Sequence, residues 1–201
     1  MTRLLLATHN EGKVREILAL LPEDQAEIET LAAHPEAGEV EETGKSFEEN
    51  ARLKAAEYAR RTGCWTIAED SGLMVDALGG EPGVYSARWA GEPGDDAANN
   101  AKLMNELEGV QNRRARYVCA IALGRPDGEV VACVRGVCEG RISEVPRGTG
   151  GFGYDPFFLA EGESRTNAEL PPEEKNVLSH RGQALRSFLP LLRLHLGEAL
   201  R

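Results

Sequence analysis

Aromatic residues and long apolar runs are both scarce in this sequence. Phe, Trp and Tyr make up 5% of the 201 residues, so aliphatic side chains must fill most of the interior. No stretch approaches the roughly 18 apolar residues of a membrane-spanning helix, and the N-terminus turns polar too early for a signal peptide. We therefore expect a cytoplasmic protein that does not interact with membranes.

Basic residues are outnumbered by acidic ones, 23 against 33, and the formal net charge is -10. This balance argues against a protein that binds a nucleic acid polymer through its phosphate backbone. A small anionic ligand would need a local cationic pocket or a divalent metal to overcome repulsion from the acidic surface.

Cysteine is also sparse, and the four thiols lack paired C-x-x-C spacing. They lie in apolar or strand-like stretches, which favours buried thiols over zinc ligands or disulfides; they are Cys64, Cys119, Cys133 and Cys138. The length fits one full domain or two small lobes that share a sheet.

Hydrophobic periodicity and capping residues predict an alternation of strands and helices. Strands are predicted at residues 4–7, 64–68, 116–123 and 129–137, and helices at 12–21, 46–63, 96–107 and from 180 onward. The last two strands flank a Pro-Asp-Gly turn and should form a hairpin. Strand-helix units ahead of an antiparallel hairpin indicate an α/β fold with a mixed sheet and helices packed outside. Pro190 should kink or break the final helix.

Two helix starts carry cationic side chains where the helix dipole opposes them. Thr8-His9-Asn10-Glu11-Gly12-Lys13 joins a predicted buried strand to a helix, and free backbone N–H groups at such a start favour an anion. A phosphate bound there would account for Lys13; the alternative is a capped helix with a surface lysine. Ser179-His180-Arg181 repeats the pattern at the last helix, where surface placement without a function is again the alternative.

Carboxylates collect in two places. Glu69 and Asp70 follow a predicted strand, and Glu39, Glu41 and Glu42 lie in an acidic loop ahead of a helix. Such oxygen ligands suit Mg²⁺, which is commonly held by one or two carboxylates and substrate phosphates. The alternative is that these carboxylates are solvated and bind no metal. This alternative suits Glu39 better than Asp70, which is predicted to lie at the end of a strand.

The segment Gly148-Thr149-Gly150-Gly151-Phe152-Gly153 matches G-x-G-x-x-G. A dinucleotide-binding fold would need a helix directly after these glycines, whereas the residues that follow are predicted to be strand-like. The glycines instead let backbone approach a flat ligand, with Phe152 or Tyr154 stacked on it and Asp155 hydrogen-bonded. A simple glycine turn that leads into a core strand is the competing interpretation. No G-x-x-x-x-G-K-[ST] segment occurs, which excludes a P-loop kinase or GTPase.

Taken together, these segments make the chain resemble the Ham1/inosine triphosphatase family of noncanonical purine nucleoside triphosphate pyrophosphatases. The motifs that carry the resemblance follow one another through nearly the whole chain, at residues 6–13, 41–44, 68–73, 79–88, 148–156 and 173–184. Several long motifs in the right order are more specific than any one of them alone.

The resemblance implies a single two-lobed domain over residues 1–201, with an elongated mixed β-sheet flanked by helices, two lobes around a nucleotide cleft, and a homodimer. It also implies Mg²⁺-dependent hydrolysis of ITP, dITP and XTP to the monophosphate and pyrophosphate. A pyrophosphatase for other altered nucleotides and a non-catalytic nucleotide sensor are the alternatives; the sensor would not need a poised Asp70.

Carried onto matching positions, the resemblance implies that Asp70 is the proton acceptor and a metal ligand, with Glu41 as the second metal carboxylate. Spacing does not decide between Glu41 and Glu42. His9 replaces the glycine that many members carry, and a left-handed backbone there would be tolerated by histidine at some cost. The implied substrate contacts are Thr8, His9, Asn10, Glu11, Gly12, Lys13, Ser71, Phe152, Gly153, Tyr154, Asp155, Lys175, His180 and Arg181.

Overall fold

The computed structural model describes residues 2–21, 26–91 and 94–199. Its strands are β1 (Arg3–Leu6), β2 (Glu27–Thr30), β3 (Trp65–Val75), β4 (Arg114–Gly124), β5 (Val130–Ile142) and β6 (Phe158–Ala160). They form one sheet in the order β2-β1-β3-β4-β5-β6. Because β1 is parallel to β2 and β3 while β5 is antiparallel to β6, the sheet is mixed, as predicted.

The helices are α1 (Glu11–Leu18), α2 (Phe47–Thr62), α3 (Asp96–Glu106), α4 (Pro172–Leu178) and α5 (His180–Ala199). Asn10, Ser46 and Asp95 cap the first three through side-chain oxygens, and left-handed Gly63 ends α2. The predicted capping box at α2 is half present, since the Glu49 carboxylate accepts the Lys45 N–H, one residue earlier than the pattern specifies. In the described ranges no helix is long and apolar enough to cross a membrane.

The chain divides into two compact units. The first unit comprises Met1–Asp70, Cys119–Gly136 and Arg181–Arg201, and the second comprises Ser71–Val118 and Val137–His180. Strands β3, β4 and β5 contribute residues to both units.

The core of the first unit is aliphatic. Helices α1 and α5 bury their apolar faces against β1, β3 and β4, in line with the helical spacing of those residues. The principal members are Leu4, Leu6, Ile17, Ile67, Ile121, Leu185, Phe188, Leu192 and Leu196. The helix α5 continues through Pro190, so of the predicted kink or break the break is wrong and the kink stays a prediction. Buried residues on both sides of Pro190 belong to the same core, and their packing offsets the lost backbone hydrogen bond.

The core of the second unit holds several of the few aromatic side chains. Tyr117 and Phe158 meet edge to face at 4.7 Å between ring centroids, and Tyr154 and Phe157 are buried with them. Leu73, on the second half of β3, packs in the same cluster.

Several predicted segments differ from the structure. The helix predicted at 12–21 ends at Leu18, and the strand predicted at 129–137 continues to Ile142. The strand predicted to end at residue 68 continues to Val75, so Asp70 lies inside a strand and not at its tip. The residues after the glycine-rich segment form turns before the short strand β6, and no helix follows the glycines directly, consistent with the rejected dinucleotide site. The hairpin is confirmed, since five residues join the neighbouring strands β4 and β5 and the Arg125 N–H donates to Glu129 O at 2.8 Å.

Candidate active site

Glu69 and Asp70 lie next to each other inside β3, and both are buried, with 1% and 5% of their surface exposed. Successive residues of a strand point to opposite faces of the sheet. Their carboxylates accordingly contact different partners, and each carboxylate organises a separate cluster in the first unit.

The Glu69 cluster is a buried network of ions. Its carboxylate lies 2.5 Å from Lys13 Nζ and 3.0 Å from Arg181 Nε, and the Cys119 thiol donates to it at 3.2 Å. Arg181 Nη1 also pairs with Glu16. Burial alone would raise the pKa of Glu69, but Arg181 and Lys13 outweigh it and hold that pKa well below its usual range. Glu69 is therefore an ionised anchor for two cations, which makes it a poor candidate for a metal ligand.

The loop before α1 positions Lys13. Thr8 Oγ1 accepts the Asn10 N–H at 3.2 Å, and Asn10 Oδ1 accepts the Lys13 N–H at 3.0 Å. No described residue other than glycine has a positive φ, so His9 occupies its position without left-handed strain. The loop, the start of α1 and the Lys13 ammonium group together form a cationic helix terminus of the kind that binds anions.

The Asp70 cluster joins β3 to α2 and to the acidic loop. Asn50 Nδ2 donates to Asp70 Oδ2 at 3.0 Å. Lys54 Nζ lies 3.6 Å from Asp70 Oδ1 and 2.6 Å from Glu42 Oε1. Burial raises the pKa of Asp70, and Lys54 and Lys13 offset only part of that rise. Burial lowers the pKa of Lys54, but Asp70 and Glu42 outweigh it and the pKa lies above its ordinary value.

Asn50 also fixes the Glu-Glu-Thr-Gly loop. Its Oδ1 accepts the Gly44 N–H at 2.8 Å, and a Cβ at Gly44 would lie 2.5 Å from that oxygen, so only glycine fits this approach. The loop places Glu42 half-buried beside Lys54, whereas Glu41 is exposed. The Lys54 ammonium group lies between two carboxylates and thus marks a place where the protein stabilises a cation. Paired oxygen ligands of this kind fit Mg²⁺.

In the second unit, Asp155 organises the glycine-rich segment. Its buried carboxylate lies 2.6 Å from Lys175 Nζ and accepts the Phe152 N–H at 2.9 Å and an Asn167 N–H at 3.3 Å. Lys175 Nζ stands 4.9 Å from the centroid of the Phe152 ring. Because Asp155 is enclosed by donors, we assign it to positioning Phe152 and Lys175.

Neighbouring contacts fasten the same segment. The Gly153 N–H donates to Asp96 at 2.6 Å, and Gly153 O accepts from Asn100 at 2.9 Å. The buried Tyr154 hydroxyl donates to Ser86 O at 2.8 Å, so Tyr154 belongs to the core and Phe152 is the better candidate for stacking on a ligand. His180 stacks on Tyr117 with 4.7 Å between centroids and 9° between planes.

The predicted site residues thus divide between the two units. The first unit holds residues 8–13, Asp70, Arg181 and both acidic-loop candidates; the second holds Ser71, residues 152–155, Lys175 and His180. Sequence reasoning missed Asn50, Lys54, Glu16 and Cys119. Asn50 and Lys54 are four residues apart and therefore lie on one face of α2, so the sequence did contain a signal for this pair. It contained none for Glu16 and Cys119.

The model of the Ham1 family matches residues 4–191, and the chain belongs to this family. It is 53% identical over 92% of its length to a dITP/XTP pyrophosphatase of Exiguobacterium sp., 94% of which is covered. It is 52% identical to a dITP/XTP pyrophosphatase of Geobacter sulfurreducens, with 98% of each chain covered.

Solved structures agree with these relatives. A HAM1 protein from Coxiella burnetii superposes with a TM-score of 0.86 at 40% identity, covering 96% of this chain and 98% of that one. The Ham1 protein of Staphylococcus aureus gives 0.86 at 39% identity, with 96% and 100% covered. The family resemblance and the mixed sheet flanked by helices are confirmed.

Proposed function

We propose that this chain hydrolyses the noncanonical purine nucleoside triphosphates ITP, dITP and XTP to the monophosphate and pyrophosphate, and so removes them from the nucleotide pool. The observation that carries the proposal is the 53% identity over 92% of the chain to a dITP/XTP pyrophosphatase. The buried Asp70 cluster supports it, because a binding protein would not need a desolvated carboxylate held by Asn50.

Asp70 is the proposed proton acceptor for the water that attacks the α-phosphorus. A carboxylate whose pKa is raised by burial is a stronger base than an ordinary one, and catalysis is most effective when the pKa of the base approaches the working pH. Asn50 fixes the orientation of the carboxylate by its 3.0 Å hydrogen bond, so the acceptor is held in place before substrate arrives.

Asp70 and Glu42 are the proposed ligands of Mg²⁺. When bound there, the metal would lower the pKa of water and balance charge on the leaving pyrophosphate. We assign Glu42 and not Glu41 to this role, because Glu42 reaches the ammonium group that also faces Asp70. Lys54 would offset the repulsion between the two carboxylates and keep them charged before the metal binds.

Lys13 and the loop of residues 8–12 are proposed to bind the triphosphate. Glu69 holds the Lys13 ammonium group, and Arg181 holds Glu69, so Arg181 acts here as a positioning residue. Its direct contact with substrate stays a prediction.

The second unit is proposed to recognise the base. Phe152 would stack on it, and Lys175 or backbone N–H groups near Phe152 would donate to a 6-keto oxygen. An amino group at that position would face another donor, and mismatches of this kind reject a substrate by roughly 10⁴ or more. Contacts from Ser71 and His180, the homodimer and the cytoplasmic location stay predictions.

Three substitutions test this mechanism. Asp70→Asn should retain the fold and most nucleotide binding but reduce kcat by orders of magnitude, and near-normal turnover would end the assignment. Glu42→Gln should raise the Mg²⁺ concentration needed for half-maximal activity, whereas Glu41→Gln, its matched control one residue away, should change it little; the reverse order would return the metal role to Glu41.

Hydrolysis in oxygen-18 water should label only the monophosphate, and label in pyrophosphate would place attack on the β-phosphorus.

A further inference from the structure

A second group of potential metal ligands lies in the first unit, apart from the Glu69 and Asp70 clusters. It consists of Glu29 on β2, His34 in the turn that follows, and Cys64 at the start of the segment leading into β3. One ligand atom from each lies within 4.8 Å of the others, and no other such group of three occurs among the described residues. We call these three residues the Glu-His-Cys cluster.

The distances in the Glu-His-Cys cluster are those of a site that can close around an ion. His34 Nε2 lies 2.5 Å from Glu29 Oε2, and Cys64 Sγ lies 3.9 Å from the same oxygen. In a tetrahedral zinc site, sulfur at about 2.3 Å and oxygen at about 2.0 Å from the metal stand about 3.5 Å apart. Zinc would therefore draw the thiol slightly inward and lengthen the imidazole-carboxylate contact to about 3.3 Å.

The surroundings favour a soft or borderline metal. Cys64 and His34 are only 2% and 8% exposed, so the site shields the thiolate and imidazole from bulk water. A ligand set of one sulfur, one imidazole nitrogen and one carboxylate suits Zn²⁺, whereas Mg²⁺ and Ca²⁺ prefer oxygen alone. Arg3 Nη1 lies 3.8 Å from the second carboxylate oxygen of Glu29 and holds that side chain from outside.

A fourth residue supplies the support that metal-bound histidines generally have. Glu36 Oε1 lies 3.3 Å from His34 Nδ1. A carboxylate behind the imidazole fixes the tautomer with the proton on Nδ1, which leaves Nε2 to bind the metal. On binding, the Cys64 thiol and the N–H at His34 Nε2, which donates to Glu29, each release a proton to solvent, and Nε2 exchanges this hydrogen bond for the metal bond.

We propose that Glu29, His34 and Cys64 form a binding site for a borderline divalent transition metal, with Zn²⁺ as the representative ion, a solvent molecule as fourth ligand and Glu36 orienting His34. The site would tie the edge strand β2 and the following turn to the start of β3. It stands independently of the proposed nucleotide hydrolysis. The spacing of 29, 34 and 64 gave no sign of it, because the ligands come from three separate segments.

Zn²⁺ titration tests the proposal. The full-length protein is first stripped of metal by a chelator, and it then competes for Zn²⁺ with a chromophoric chelator in excess Mg²⁺. The expected result is one equivalent bound. Cys64→Ser should weaken that binding by more than about 100-fold and Glu36→Gln by about 10-fold to 100-fold. Cys133→Ser, which removes a more accessible thiol outside the cluster, should leave it unchanged.

Cobalt provides a spectroscopic check on the ligand set. Co²⁺ in place of Zn²⁺ should give a sulfur-to-cobalt charge-transfer band that disappears in Cys64→Ser and persists in Cys133→Ser. Binding that is absent from the natural protein, or equal in both serine variants, would overturn the proposal. Thermal unfolding and nucleotide hydrolysis report whether Cys64→Ser folds. If it does not fold, His34→Gln takes its place in the titration. Full Zn²⁺ affinity in His34→Gln would also overturn the proposal.

Discussion

We expect Glu69→Gln to lower the stability of the fold more than any other substitution in the buried ion network. Glutamine keeps the shape of the side chain but removes the charge that faces Lys13 Nζ at 2.5 Å and Arg181 Nε at 3.0 Å. Arg181 is 2% exposed, so water cannot replace the lost partner. Its positive charge would then lose one of its buried carboxylate partners and keep its ion pair with Glu16.

The size of the effect follows from the burial of all the groups involved. Removing one member of a buried ion pair typically costs about 3–5 kcal/mol, because the remaining charge stays desolvated. In a protein of about 200 residues each kcal/mol lowers the melting temperature by about 2–4 °C. We therefore expect Glu69→Gln to melt about 6–20 °C below the natural protein.

Thermal unfolding followed by circular dichroism measures this shift. Glu57→Gln is the matched control, since Glu57 pairs with Arg60 on the exposed face of α2 with 39% of its side chain accessible. Such surface pairs contribute about 0–1 kcal/mol, so this variant should melt close to the natural protein. Equal shifts for the two variants, or a Glu69→Gln shift below about 2 °C, would refute the assignment of Glu69 as the anchor of the network.

Two further predictions concern the second unit. Gly151 and Gly153 both have left-handed backbones, with φ of 72° and 62°, but a Cβ at Gly151 would overlap the Asp155 carboxylate whereas one at Gly153 meets no atom within 4 Å. Gly153→Ala should therefore lower the free energy of unfolding only by the conformational term of about 1–2 kcal/mol. Gly151→Ala should lower it clearly more, as measured by urea unfolding, and equal losses would contradict the role given to Asp155. Burial, followed by the neighbouring Glu139, raises the pKa of Cys138 to about 11, so only about one thiol in a thousand is ionised at pH 8 and alkylation should rise about tenfold per pH unit. Peptide mass spectrometry after iodoacetamide treatment between pH 7 and 9 should show this slope, and rapid labelling at pH 7 would contradict it.

Local signals predicted the elements whose ends are set by local chemistry. Ser46 and Gly63 enclose α2 because a hydroxyl cap and a left-handed glycine act within one turn of the helix. Asn10 was found at the start of α1 for the same reason. The apolar stripe of α5 could also be predicted from the sequence, because apolar residues that recur about every 3.6 positions lie on one buried face of a helix.

The interior of β3 could not be predicted in this way. Glu69 and Asp70 are too polar for a buried strand unless distant partners neutralise them, and those partners come from α1, α2 and α5. Sequence spacing contains no measure of such contacts between segments. For the same reason it left the choice between Glu41 and Glu42 open, and our proposal of Glu42 depends on its contact with Lys54.

The substrate assignment is tested most directly by pyrophosphate release from purified protein given ITP, dITP, XTP, ATP and GTP in parallel, with Mg²⁺ and with a chelator. Rapid release from the first three nucleotides, little from ATP, whose 6-amino group would face a donor, and none once the metal is removed is the predicted pattern. GTP, which shares the 6-keto oxygen, reports separately on whether a 2-amino group is accepted. Comparable release from ATP and ITP, or undiminished release in chelator, would contradict it.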